Sequence, residues 1–132
     1  MEKIKEETIK KLEELKENLG YDNEENYCNM INILIDYDNE AQDNLYLYDR
    51  VSELVEFVTE DTLAYYLEYQ FKTFGVERLF YITQCLEHSD TIYKINGYGN
   101  LENVDDDDFI WCIDDAIDAL KEGDEEDETT NN

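Results

Sequence analysis

Negative charge, more than any pattern of apolar residues, limits what this chain can fold into. Of 36 acidic and 10 basic side chains, residues 1–16 hold five of each, so the other 31 acids face only Arg50, Lys72, Arg78, Lys94 and Lys121. The net charge of −26 far exceeds the magnitude of roughly 2–8 that keeps a small domain soluble, and such self-repulsion destabilises any compact state. High net charge with little apolar surface would leave the chain disordered. Here aromatics reach 13% and hydrophobic residues 42% of 132 residues, enough for one modest core. A folded domain that tolerates its own repulsion is therefore expected, one whose stability rises with ionic strength.

The apolar spacing predicts a mainly α, α+β chain of about five or six helices with one small β-hairpin near residues 91–104. Ile4, Thr8, Leu12, Leu15 and Leu19 recur at three- and four-residue steps before Gly20, which predicts a helix over residues 2–19 closed by an αL cap at Gly20. Tyr27, Met30, Ile31, Leu34 and Ile35 predict a second helix between Asn23 and Tyr37, and the polar run Asp36 to Asn44 a loop. Val51, Leu54, Val55 and Val58 predict a third helix reaching Thr59, the expected N-cap of a fourth that carries Leu63, Tyr66, Leu67, Phe71 and Phe74 and stops at Gly75. Leu79, Ile82, Cys85 and Leu86 fit a short helix within Val76 to Glu87.

Thr91 to Asn96 alternates like a strand and, through Gly97-Tyr98-Gly99-Asn100, leads into Leu101 to Val104, a hairpin pattern. Asp105 to Asp108 then supply an N-cap and first-turn negative charge for a last helix with Ile110, Ile113, Ile117 and Leu120 as its buried stripe. Gly123 is expected to end it. Residues 1–123 thus read as one acidic helical domain, and 124–132, without an apolar side chain, as a disordered acidic tail.

Cys28, Cys85 and Cys112 are odd in number, lack CxxC spacing and sit in apolar helical stretches, so they read as buried reduced thiols of a cytoplasmic protein. Met1 to Lys16 is charged and amphipathic, unlike a signal peptide or a membrane span. The acidic surface is repelled by anionic lipid and by nucleic acid, which leaves basic proteins as the natural partners.

On the last helix, Asp107, Asp114, Asp118 and Glu122 follow at steps of seven, four and four, a row on nearly one face away from the isoleucines. Four-residue steps repeat about every 6 Å, a scale comparable with phosphates along a DNA strand. Asp105, Asp106, Asp108 and Asp115 extend this acidic surface, and Asp36, Asp38, Glu40 and Asp43, with Asp49, Glu53, Glu56, Glu60 and Asp61, form a candidate second row. Capping explains Asp105 to Asp108 by themselves; it does not require the chain-wide imbalance.

Other chemistry lacks its residues, so neither a cofactor nor a dedicated metal site is expected and catalysis is disfavoured. Asp36-Tyr37-Asp38-Asn39-Glu40 starts like an EF-hand loop, but Ala41 stands at the sixth position and Leu47 at the twelfth, where Gly and a bidentate Glu are needed. His88 is the sole histidine, without a second His or a spaced Cys pair for zinc. Gly97-Tyr98-Gly99 lacks the third Gly and following Lys of a phosphate loop. Tyr46, Tyr48, Tyr65, Tyr66, Tyr69, Phe71 and Phe74 suit base stacking, yet without cations to hold a phosphate backbone they read as core, some hydroxyls reaching the surface.

In size, acidity and element pattern the chain resembles the small anti-restriction and anti-CRISPR proteins of bacteriophages and mobile elements that act as DNA mimics. Tyr93-Lys94-Ile95-Asn96-Gly97-Tyr98-Gly99-Asn100-Leu101-Glu102, followed by an acidic helix, also resembles the C-terminal part of uncharacterised small acidic proteins from mobile elements of low-GC Gram-positive bacteria. This resemblance implies a stoichiometric inhibitor acting in the host bacterial cytoplasm on a basic DNA-binding protein, a CRISPR or restriction nuclease, as a monomer or a dimer. The competing expectations are an acidic interaction protein that binds a basic partner without imitating DNA, and a calcium-responsive module.

Overall fold

Apolar stripes at helical spacing account for most of the chain. The computed structural model describes residues 2–85 and 92–130. Its elements are α1 (Lys3–Glu17), α2 (Asn23–Ala41), α3 (Leu47–Leu54), β1 (Glu56–Val58), α4 (Glu60–Phe74), α5 (Val76–Cys85), β2 (Tyr93–Ile95), β3 (Leu101–Asn103) and α6 (Asp106–Thr130). The fold is mainly helical α+β with one small three-stranded antiparallel sheet.

Helix α6 packs against α1, α2 and α3. Its Phe109, Cys112, Ile113, Ala116, Ala119 and Leu120 are buried and meet Leu12 of α1, Met30, Leu34 and Tyr37 of α2, and Leu47 and Val51 of α3. A fully buried Leu, Met or Phe side chain contributes roughly 1.5–3 kcal/mol, so this four-helix cluster is the main store of stability. A second, smaller cluster joins Val58, Ile82, Tyr93 and Leu101, on which Leu63, Tyr66 and Leu67 of α4 rest. Phe57 of β1 packs on the first cluster, stacked at 5.7 Å on Phe109 and tilted at 5.0 Å against Tyr27, while the next residue, Val58, belongs to the second.

The sheet holds more than the expected hairpin. Residues 93–95 and 101–103 do pair antiparallel around the 97–100 turn, where Gly99 takes φ +80°, a backbone state that glycine adopts without Cβ strain. Glu56, Phe57 and Val58 then pair with Ile95, Lys94 and Tyr93. The expected third helix therefore stops at Leu54, and Val55 turns extended at φ −134°. The run Val55-Glu56-Phe57-Val58 is β-branched and aromatic, and a free strand edge resolves its ambiguity.

Helix α2 outruns its expected end at Tyr37 because Tyr37 is buried and Ala41 half-buried, continuing the stripe of Met30 and Leu34. It ends at Gln42, which adopts αL at φ 49°. Gly20 is not the αL cap of α1. Asn18 closes that helix, its amide accepted by the Glu14 carbonyl at 2.7 Å, and Gly20 instead exchanges hydrogen bonds of 3.0 Å each way with the buried Asn26 amide. Toward the C-terminus, α6 continues through Gly123 to Thr130 where a stop at Gly123 is expected. A glycine inside a helix costs only about 1 kcal/mol relative to Ala, and the acidic residues that follow do not forbid helix.

Thr59 begins α4 as expected: its amide donates to Thr62 Oγ1 at 2.9 Å. Gly75 ends it at φ +89°. The aromatic core expected there does not form. Tyr65, Tyr69, Phe71 and Phe74 are exposed, as are Tyr46 and Tyr48; only Tyr66 is half-buried. The α4–α5 pair has a sheet of three-residue strands to lie on, too small to cover more than one face. Cys112 is buried but Cys28 is exposed on α2, against the expectation for all three thiols; the side chain of Cys85, and His88, lie outside what is described.

Burial decides which aromatic residues bear on stability. Phe109→Ala should cost about 4 kcal/mol in urea unfolding through the cavity it leaves, whereas Tyr65→Ala, at 76% exposure, should change stability by less than about 0.5 kcal/mol.

Candidate functional site

The acidic residues singled out above divide by what holds them. Asp36 and Glu40 sit exposed on α2, while Asp38, two residues along, faces the start of α3. Its carboxylate accepts from the amides of Leu47 at 2.9 Å and Tyr48 at 3.0 Å, so a side chain of α2 caps α3. Asp43 accepts the Tyr37 hydroxyl and, at 3.0 Å, the Leu45 amide. Burial first, and then this bond to a carboxylate, push the Tyr37 hydroxyl well above the ordinary tyrosine range. The supposed EF-hand start is therefore helix as far as Ala41, not a calcium loop.

At the head of α6, Asp105 and Asp108 cap one another. The Asp105 amide donates to Asp108 Oδ2 at 3.0 Å, and the Asp108 amide to Asp105 Oδ1 at 3.1 Å, a reciprocal box that satisfies two helix-end donors. Asp108, 9% exposed, also accepts two contacts from Lys94 Nζ, at 2.7 Å to Oδ1 and 2.8 Å to Oδ2. Burial would lower the Lys94 value, but the bond to Asp108 and the charges of Asp108, Asp105 and Glu102 outweigh it and raise it above that of a free lysine. Asp106 and Asp107 stay exposed in the first turn.

Further along α6, the expected row is broken. Asp114 accepts from Lys16 Nζ of α1 at 2.7 Å, and Asp115 from Arg50 of α3 at 2.6 Å through Nε and 3.4 Å through Nη2. Exposed pairs of this kind contribute about 0–1 kcal/mol, so they orient more than they stabilise. Asp118 and Glu122 stay exposed, their charges acting on Arg50 from a distance. Asp36, Glu40, Asp106, Asp107, Asp118 and Glu122 thus carry carboxylates with no hydrogen bond or ion pair among the described residues. Asp49, Glu53, Glu56, Glu60 and Asp61 add exposed acids on α3, β1 and the first turn of α4.

Lys16, Arg50 and Lys94 were the residues sequence reasoning passed over. The signal was present: in so acidic a chain each base has carboxylates within reach, and those carboxylates leave the free surface. Among the described residues no three His, Cys, Asp or Glu side chains converge to hold a metal ion, and no helix is long and apolar enough to cross a membrane. Comparisons with protein-family models, with curated proteins and with solved structures found no match.

Two bulk measurements follow from these electrostatics. Raising sodium chloride from about 10 mM to about 500 mM shortens the Debye length from roughly 30 Å to a few Å, so the melting temperature should rise, and a fall would mean that internal pairs outweigh self-repulsion. Burial pushes the Cys112 thiol from 9.0 up to about 12, and Lys94 and Tyr37 also titrate higher when folded than unfolded. All three folded-state values are raised, so their stabilisation is complete below the unfolded values and is lost as pH climbs toward the folded ones. Stability should therefore decline from about pH 9, by up to about 1.4 kcal/mol per pH unit per proton, and Cys112→Ala should delay the onset in a pH series of urea midpoints.

Proposed function

We propose that the chain is a stoichiometric inhibitor of a DNA-binding defence nuclease, a CRISPR effector in the first instance, and that it occupies the nuclease's DNA channel with its own acidic surface. The observation that carries this reading is the excess of 26 negative charges, with carboxylates on α2 and α6 that make no hydrogen bond or ion pair among the described residues. Such groups pair with the Arg and Lys that normally hold phosphates, and the field around them speeds association. Carboxylates also accept bidentate Arg contacts of the kind used to read guanine, which suits a block on a PAM-reading site. Inhibition needs no catalytic group, only occupancy.

A second reading is favoured by one observation: the bond from Lys16 to Asp114 interrupts the acidic row on α6. An acidic interaction protein that grips a basic partner without copying phosphate spacing has no need of that row.

Asp107, Asp118 and Glu122 make the better test set, because reversing Asp114 or Asp115 would set like charges against Lys16 or Arg50 and disturb packing. The combined change Asp107→Lys, Asp118→Lys and Glu122→Lys should weaken capture of a nuclease complex by at least about tenfold with an unchanged circular dichroism spectrum. Duplex DNA should displace the unaltered chain from that complex. Retention of proteins that do not bind DNA, with no displacement, would transfer the acidic surface to the second reading; full affinity in a folded triple variant would remove α6 from the interface.

A further inference from the structure

The basic residue Arg78 is held by neutral groups and not by an acid. Arg50, Lys72 and Lys94 each bond a carboxylate. Arg78 of α5 does not, although acids outnumber bases by 26. Its Nε donates to Gln70 Oε1 at 3.3 Å, and its Nη2 donates to Asn100 Oδ1. Its guanidinium lies 5.4 Å from the Phe74 ring centre and 5.9 Å from that of Tyr81. Two neutral amides and two aromatic faces hold the group in place and leave its charge uncompensated among the described residues.

The position of that charge gives it a use. Arg78 lines a cavity of about 370 Å³ together with Tyr66, Tyr69, Gln70 and Phe74 of the α4 side and Tyr98 of the hairpin turn. That volume lies within the range of about 300–1,000 Å³ typical of small-molecule sites. The Tyr66 hydroxyl donates to the Gly99 carbonyl at 2.8 Å, which fastens the turn to α4 and fixes the cavity wall. Gln70 is only 4% exposed, its oxygen is taken by Arg78, and its amide nitrogen donates to nothing among the described residues. Among the described residues no sealed side-chain polar atom is left without a partner, so that nitrogen is not sealed off, and Gln70 lines the cavity. Residues 62–86 hold two acids, Glu68 and Glu77, and two bases, Lys72 and Arg78. The stretch 62–86 is thus balanced in charge within a chain whose net charge is −26.

We propose that this cavity binds a small planar aromatic molecule bearing a single carboxylate. The ring lies among Tyr69, Phe74 and Tyr98, which offer flat apolar faces. The carboxylate meets the Arg78 guanidinium, whose planar fork matches it, and takes a further bond from the Gln70 amide. One cation sets the charge at one, since a second negative charge has no partner here and meets the field of the whole chain. This site is separate from the acidic surface and stands or falls without it.

Indole-3-acetate is a suitable probe, with uncharged indole as its control, each titrated into the full chain by calorimetry and by NMR of the tyrosine rings. Saturable one-to-one binding of indole-3-acetate is expected, at least about tenfold tighter than that of indole, with shifts confined to Tyr66, Tyr69 and Tyr98. Arg78→Gln should reduce affinity by about tenfold or more, while Arg50→Gln leaves it unchanged. Equal binding of indole and indole-3-acetate to the unaltered chain would overturn the proposal without recourse to any variant. So would the absence of saturation at about 10 mM probe, or undiminished affinity in folded Arg78→Gln.

Discussion

Burial of one side of α6 is what allows this chain to fold against its own charge. Phe109, Cys112, Ile113, Ala116, Ala119 and Leu120 are all at most 2% exposed, and three other helices close over them. The larger of these side chains contribute roughly 1.5–3 kcal/mol each, whereas an exposed ion pair contributes about 0–1 kcal/mol. Apolar contact therefore supplies the free energy, and the cations decide orientation. Lys16, Arg50 and Lys94 come from α1, α3 and β2 and meet α6 at Asp114, Asp115 and Asp108, which sets the rotation of each neighbour about the central helix.

The same helix explains why acids gather at its head. Four consecutive aspartates would repel one another in an open loop; at a helix N-terminus they face unpaired amides and the positive end of the dipole. Asp105 and Asp108 spend their oxygens on those amides, and Lys94 offsets the one that is pressed against the core. Asp106 and Asp107 are left to solvent. A run that looks uniform in sequence thus contains two structural carboxylates and two free ones.

Periodicity made the helices legible, and tertiary pairing hid the rest. The stripe of α6, the Thr59 start and Gly75 stop of α4 and the hairpin turn are all local signals. The extension of α2 turns on Tyr37, which is polar enough to resemble a loop residue but buried by a hydroxyl bond to Asp43. The strand Glu56–Val58 needs a partner some 37 residues away, Ile95 to Tyr93, and no window over Val51 to Thr59 contains it. Acid excess was plain in the composition, but which acids are free depends on bonds between residues 98 apart for Lys16 and Asp114 and 65 apart for Arg50 and Asp115. The aromatics of α4 mislead for another reason: Tyr65, Tyr69, Phe71 and Phe74 occupy more of the helix circumference than one small sheet can cover.

Charge of one sign couples folding to binding in a way that a mixed surface does not. Salt screens the repulsion among carboxylates and so favours the folded chain, yet it also screens their attraction to any basic partner. A cationic protein seated on Asp36, Glu40, Asp118 and Glu122 does both tasks at once, neutralising the self-repulsion while gaining the attraction. Binding to the folded state alone then adds stability in proportion to the logarithm of partner concentration over Kd. The stretch around Arg78, with two acids and two bases in residues 62–86, offers such a basic partner little to grip. On the two proposals above, ionic strength tunes the carboxylate surface and ring-plus-anion shape selects what enters the aromatic cavity, although both rest on the same small fold.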